Sequence, residues 1–324
     1  VAFLAAVQTK LESDAYRTSA AFSDWILGQT RQALVGREPA EPALVAFPEM
    51  IGLPLLLFLE RSTNASRVRD AALELARERW LDALRLGLKH RNLGLSSLVL
   101  PRAMPIFDAY MTAFSRAAQA TNSFIVGGSV LLPEIEFEAA KGLHITDGRV
   151  QNVSYTFSPT GKILARTGKI NLTAGLESAL GLSGMIPQAW HAVQTPLGHL
   201  GTLICYDAFF ERALERADAF GTQILVQPSA NAAVWDGPWS ADATLNEGEE
   251  WLARGPVARI QGRTNTRYVV NPMLVGKLLE IEFQGRSSIA VNRALEPDAR
   301  THPRGVLTIA YTATEFEIVT ARVS

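Results

Sequence analysis

The run "LGTLICYDAF" (residues 200–209) decides how the rest of the chain is read. It climbs through apolar residues to Cys205, then turns polar and aromatic. A short apolar run that ends in a turn is the pattern of a strand buried on both faces. Cys205 is the only cysteine in the chain. The spacing predicts it at the carboxyl end of a sheet, where backbone N–H groups and a helix dipole would ease ionisation of a thiol. A free cysteine is also among the residues most often simply buried.

Similar runs lie on both sides of it. Strands are predicted near 2–8, 44–47, 124–131, 151–157, 162–166, 199–204, 223–227, 268–274, 286–291, 305–311 and 316–322. "SPTGK" (158–162) reads as a hairpin-type turn between two of them. Helices are predicted over 12–35, 64–90, 105–120, 208–219 and 249–266, the last interrupted by Pro256. In the second, Leu73, Ala76, Trp80, Leu84 and Leu88 recur at helical spacing and suggest the packed stripe. Alternation of strands and helices indicates an α/β layered protein. No linker or low-complexity run divides the chain, so 1–324 is read as one domain. Region 56–104, rich in Arg and Leu, reads as a helical insertion. It is either a solvated helix packed along one stripe or a lid over a pocket.

Composition narrows the function. Of 324 residues, 48% are hydrophobic and 19% charged, enough for a large core. A net charge of −1 without a basic stripe argues against a nucleic-acid partner. One cysteine cannot form an internal disulfide. "IGLPLLLFL" (51–59) is the richest apolar run and is too short to span a bilayer. A soluble, cytoplasmic protein is the expectation.

A partner for Cys205 is then sought. His90, His144, His191, His199 and His302 are available, and none sits in a known cysteine-protease signature. His199, six residues before Cys205 on the same strand, would lie about 20 Å away at ~3.3 Å per residue. No metal-binding spacing is present, so no metal is expected. Two other segments also end a strand in a charged residue. "LVAFPEMIG" (44–52) delivers Glu49, a costly place for a carboxylate unless it is paired or working. "ARTGKINLTAGLE" (165–177) delivers Lys169 and then Glu177. Taken alone, Glu49 could be a turn residue and Lys169 an edge-strand lysine.

Taken together, "FPEM" with Glu49, "GKINL" with Lys169 and "LICYD" with Cys205 resemble the nitrilase, or carbon–nitrogen hydrolase, superfamily. "NVSYTFSPTGKILARTGKINL", "ESALGLSG", "ILVQPSA", "RTNTRYVVNPMLVG" and "GRSSIAV" support the resemblance. It implies a four-layer αββα sandwich with a Glu–Lys–Cys site at strand ends, no cofactor, and assembly into a homodimer or larger homo-oligomer. It implies Glu49 as general base, Cys205 as nucleophile, Lys169 with the Tyr206 N–H as oxyanion donors, and Glu177 as a supporting carboxylate. "CYDAFFER" lacks the proline of the amidase-type motif, and the Lys169–Glu177 spacing also resembles the N-acyltransferase branch. The expected activity is hydrolysis of a small linear amide or N-carbamoyl compound through a thioester. An acyl transferase, a non-catalytic scaffold and, less favoured, a nitrile hydrolase are the alternatives. Phe209 and Trp235 are candidate pocket residues, each also explicable as packing.

Overall fold

The computed structural model describes residues 1–301 and 303–324; His302 lies outside the described residues. The first strands are β1 (Ala2–Gln8), β2 (Ala43–Ala46), β3 (Phe124–Val126), β4 (Val130–Glu138), β5 (Gly142–Phe157), β6 (Ile163–Gly168), β7 (Val193–Thr195), β8 (Gly198–Thr202) and β9 (Ile224–Val226). The helices are α1 (Ser19–Ala33), α2 (Leu53–Phe58), α3 (Val68–His90), α4 (Ala103–Thr121), α5 (Leu176–Ala179), α6 (Glu211–Ala219), α7 (Glu247–Arg254) and α8 (Pro256–Arg259). Two main sheets result. One runs in the order Glu317–Val323, β1, β2, β3, β5, β4, with β6 also paired to β5. The other runs Val306–Ile309, Ser288–Val291, Tyr268–Asn271, β9, β8, β7. Strands β1, β2 and β3 are parallel, as are β8, β9 and Tyr268–Asn271.

Period-two alternation sorts the side chains into layers. In β1, Phe3, Ala5 and Val7 join a core that includes Phe22 and Ile26 of α1 and Ala113 and Phe114 of α4. Ala2, Leu4 and Ala6 point the other way, into a core shared with Leu200, Ile224, Tyr268 and Ile289 of the second sheet. Leu225, Val269 and Ala290 then face Ala213, Leu214 and Val257 on the helices of the far side. The order is helix, sheet, sheet, helix. Strands buried on both faces explain the unbroken apolar runs.

Some sequence expectations change. The run 124–131 is not one strand: Gly127, Gly128 and Ser129 break it between β3 and β4. Strand β4 and the first half of β5 form a ribbon that sequence reading missed, because its tip is solvated and Phe137 is 73% exposed. In α3 the stripe read as packed faces outward: Leu73, Trp80, Leu84 and Leu88 are exposed, and Leu75 is buried together with the smaller Ala71, Ala83 and Gly87. Small residues let the helix sit close to the body. Glu280 caps its first turn, Oε2 accepting from the Val68 N–H at 2.8 Å. No described helix is long and apolar enough to cross a membrane.

The Gly127–Ser129 break matters because it backs the segment after β2. Gly128 has φ +68°, and a Cβ there would stand 2.0 Å from the Pro48 carbonyl oxygen. Ser129 Oγ accepts from the Met50 N–H at 2.8 Å. Glu49 is thus gripped on both sides. Gly128→Ala is expected to cost more than about 2 kcal/mol, combining the strained φ with backbone overlap. Urea denaturation of wild type and variant measures it, and an unchanged midpoint would refute this account of the loop.

Candidate active site

Three strand ends and one short helix converge on a cavity of about 680 Å³. Glu49 follows β2 and Pro48. Lys169 follows β6, its N–H bonded to the Asn152 carbonyl at 2.8 Å. Glu177 lies in α5. Cys205 follows β8, which ends at Thr202 instead of reaching 204. Residues Cys205–Phe209 form a tight helical turn, entered with Cys205 at φ +49°. That conformation is strained for a side chain with a Cβ and persists only where surroundings enforce it. Here the Cys205 N–H donates to the Pro228 carbonyl at 2.8 Å, and Gln227 Nε2 donates to the Cys205 carbonyl at 2.9 Å.

The charged groups meet closely. Lys169 Nζ donates to Glu49 Oε1 at 2.8 Å and to Glu177 Oε2 at 2.7 Å. All three are about 2% exposed. Asn152 Nδ2 donates to Glu49 Oε1 and to Glu177 Oε1, both at 2.8 Å. Glu177 Oε2 also accepts from the Thr173 N–H at 3.0 Å and its hydroxyl at 3.1 Å. The other Glu49 oxygen accepts from the Ala230 N–H at 3.1 Å. The Cys205 thiol and the Glu49 carboxylate lie close enough to shift one another's proton affinity, and the thiol stands 3.8 Å from the Ala230 carbonyl oxygen. The Tyr206 N–H has no backbone acceptor outside the turn among the described residues, and Tyr206 directly follows Cys205 at the start of the turn.

These contacts set the proton affinities. Burial, then the like charge of Glu177, raises the Glu49 carboxyl above the ordinary range, with Lys169 opposing. Burial also works against the Glu177 charge, but Lys169, Thr173 and Asn152 outweigh it and hold that carboxyl low. Burial likewise opposes the Lys169 charge; Glu49, the Cys205 sulfur and Glu177 overcome it, so the ammonium keeps its proton. The thiol corrects a sequence expectation. Burial, then the Glu49 charge, drives it well above its usual value, with Lys169 opposing. The strand end does not ease ionisation; the resting group is a thiol beside a carboxylate.

Sequence reading missed several contributors. Asn152 stands in the quoted "NVSYTF" segment, and its signal was an amide within an apolar strand. Asp207, 1% exposed, accepts from the Ile170 and Asn171 N–H groups and from Asn171 Nδ2. Burial pushes its carboxyl up to about 6 against those donors. Phe209 lines the cavity, as do Tyr206, Trp239 and Trp251. Trp235 does not: it is 4% exposed and packs behind Trp251, ring centroids 6.2 Å apart. Gly248 leaves it room, since a Cβ there would meet its indole nitrogen at 2.5 Å. The insertion 56–104 lines a separate apolar pocket, through Leu56, Leu57, Leu75 and Leu98 among others, and contributes no described lining residue to this cavity, where residues 230–251 form the outer wall. The described residues hold no cluster suited to a metal ion.

Asn152 is the neutral link between the two carboxylates. Asn152→Ala is expected to cost about 1–3 kcal/mol, since it strips a donor from two buried anions, and Asn152→Asp to cost more by adding a third. Chemical denaturation with both variants checks the order, and equal losses would contradict it.

A scan against protein-family models matches carbon–nitrogen hydrolase over residues 43–293. No curated protein matches the chain. Among solved structures, the carbon–nitrogen hydrolase from Helicobacter pylori G27 superposes with a TM-score of 0.63 at 16% identity, covering 98% of this chain and 88% of that one. The NitN amidase from Nesterenkonia sp. AN1 gives 0.61 at 15% identity, covering 100% and 93%. Saccharomyces cerevisiae Nit3, of branch 10 of the nitrilase superfamily, gives 0.56 at 17%, covering 99% and 89%. At these identities the superpositions speak to the fold, and the family model speaks to descent: the chain belongs to the carbon–nitrogen hydrolase family, hydrolases of C–N bonds other than peptide bonds.

Proposed function

We propose that the chain hydrolyses a small linear amide or N-carbamoyl compound through a thioester on Cys205. The observation that carries this reading is the contrast between two carboxylates on one lysine. Glu49 is pushed toward holding a proton and Glu177 toward refusing one. Neighbouring groups whose proton affinities are driven apart divide into an acid–base and a fixed charge.

Glu49 takes the proton from Sγ as the sulfur attacks the carbonyl carbon. The developing oxyanion is held by Lys169 and the Tyr206 N–H; one such donor is worth about 2.7–4 kcal/mol. Protonated Glu49 then gives its proton to the departing nitrogen, the C–N bond breaks, and the thioester remains. Water, deprotonated by Glu49, attacks the thioester and releases the acid. The same proton returns to the leaving sulfur. Glu177 keeps Lys169 charged and aimed. In a mutant of the Nesterenkonia amidase, acrylamide is found added to the active-site cysteine by Michael addition; this reading expects Cys205 to be open to a comparable adduct.

A panel of primary amides and N-carbamoyl compounds, assayed for ammonia, tests the proposal. Cys205→Ala is expected to lose at least about a thousandfold in rate, and equal activity in both proteins would remove the nucleophile. The pH profile tests Glu49. A base with a raised pKa is protonated, and idle, at pH values where ordinary carboxylates are ionised. The acid limb of kcat/KM is therefore expected above the ordinary carboxylate range, with activity falling as pH drops through it. A limb within that range would point to a different base.

A further inference from the structure

Helix α3 turns a row of large apolar side chains to solvent. Leu73, Trp80, Leu81, Leu84 and Leu88 stand 45% to 61% exposed. A single exposed leucine needs no explanation, but a run of them along one helix marks a contact surface. The helix is not free to roll this face inward. Its other face is already packed through Ala71, Leu75, Ala83 and Gly87. Glu280 caps its first turn, and Asn92, just past its last, donates to the Gly148 carbonyl at 2.8 Å. The 23 residues anchored in this way span about 35 Å at ~1.5 Å per residue. Arg79 leaves helical geometry (φ −134°, ψ 19°), yet the apolar residues on both sides of it stay exposed.

The order of residues along this face points to what covers it. Asp70, Leu73, Arg77, Trp80 and Leu84 recur at steps of three and four, and Arg91 follows one heptad later, the spacing of a helix–helix seam. Reversed about the midpoint between Trp80 and Leu81, the run is its own complement. Leu73 falls opposite Leu88, Trp80 opposite Leu81, and Asp70 opposite Arg91. Arg79 falls opposite Asp82, the acid it already faces within one chain. Arg77 falls opposite Leu84, where its aliphatic stem can lie along the leucine. The other acids of the helix are engaged at home: Glu74 and Glu78 by Arg61, and Asp82 by Arg79. Asp70 and Arg91 are exposed and form no ion pair with a described residue.

A two-fold axis produces this reversal, because it sets residue i against residue j and j against i. An anionic bilayer, the other surface that suits leucines among arginines, would meet the Asp70 carboxylate on the same stripe and gives its match with Arg91 no role. We propose that α3 is a self-association surface: it pairs antiparallel with α3 of a second copy of this chain, on a two-fold axis beside Trp80 and Leu81. The contact lies on the insertion, away from α1, α4 and α6, whose residues pack on the two sheets. It is independent of the chemistry proposed for the cavity.

Sedimentation velocity of the full chain over a concentration series measures the particle mass. Leu84→Glu places a carboxylate in the contact twice, once from each copy. It is expected to weaken association at least about a hundredfold and to halve the particle mass; a tetramer that also uses a second surface would fall to a dimer. Asp70→Arg and Arg91→Asp each set like charges against one another and are expected to weaken association about fivefold. The two together restore opposite charges and are expected to recover most of that loss. Circular dichroism melts establish that each variant is folded, and Trp80→Gln provides the same test should Leu84→Glu melt early. A wild type that stays monomeric at its highest soluble concentration, or a particle mass unchanged by Leu84→Glu, overturns the surface. A charge-swapped double variant no stronger than either single one overturns the antiparallel register. Co-sedimentation with phosphatidylglycerol–phosphatidylcholine vesicles addresses the bilayer: binding by wild type that Leu84→Glu abolishes, without self-association, overturns the proposal and gives the face to lipid.

Discussion

A lysine ammonium buried to about 2% exposure is the constraint around which the site is built. Removing such an ion from water costs several kcal/mol even after relaxation. Two carboxylates within 2.8 Å, with an asparagine amide bridging them, offset that cost. None of the three charges is tolerable there without the others. The requirement reaches back into the fold. Glu49 must arrive from β2, Asn152 from β5, Lys169 from β6 and Glu177 from α5, and the sheet order β2, β3, β5, with β6 paired to β5, brings them to one point.

The charge count of this cluster explains why the thiol stays protonated. Two anions and one cation leave an excess negative charge beside the sulfur, and burial adds to it. A thiolate would be a third anion, and in the proposed mechanism it is tolerated only once a substrate carbonyl is present to carry charge toward Lys169 and the Tyr206 N–H. The arrangement therefore favours proton removal coupled to attack over a standing thiolate. It also separates the site from cysteine enzymes in which a neighbouring cation lowers the thiol pKa in advance.

Much of this was legible in the chain. Strands buried on both faces leave unbroken apolar runs, so β1, β8 and β9 were visible. Charged residues ending such runs, Glu49 and Lys169, stood out because burial there is costly. Less legible was anything whose signal depends on a partner. Asn152 and Asp207 act through groups distant in sequence, and nothing local marks an amide as a bridge or an aspartate as a clamp. Helix α3 misled for a different reason. Periodicity reports that a helix has a stripe, not which stripe is covered, and here the small residues took the inner face. Trp235 could be read from sequence as pocket wall or as packing, and only the space above Gly248 shows that it sits behind Trp251.

Cys205 and Lys169 are connected by more than a shared cavity. Asp207 lies two residues beyond Cys205 and accepts the N–H groups of Ile170 and Asn171, the two residues that follow Lys169. The tight turn bearing the sulfur and the strand end bearing the ammonium are therefore tied backbone to side chain. Met185, beyond α5, donates its N–H to the Lys169 carbonyl at 2.8 Å and closes the other side. Misplacement by about 1 Å can cost two orders of magnitude in rate, and long side chains such as lysine do not hold such tolerances unaided. Fixing the peptide units on both sides of Lys169 leaves its side chain only the path between Glu49 and Glu177. The strained φ of Cys205 has the same origin: the Pro228 carbonyl, the Gln227 amide and the Asp207 clamp together over-determine the turn, so the sulfur is held where the carboxylate can reach it.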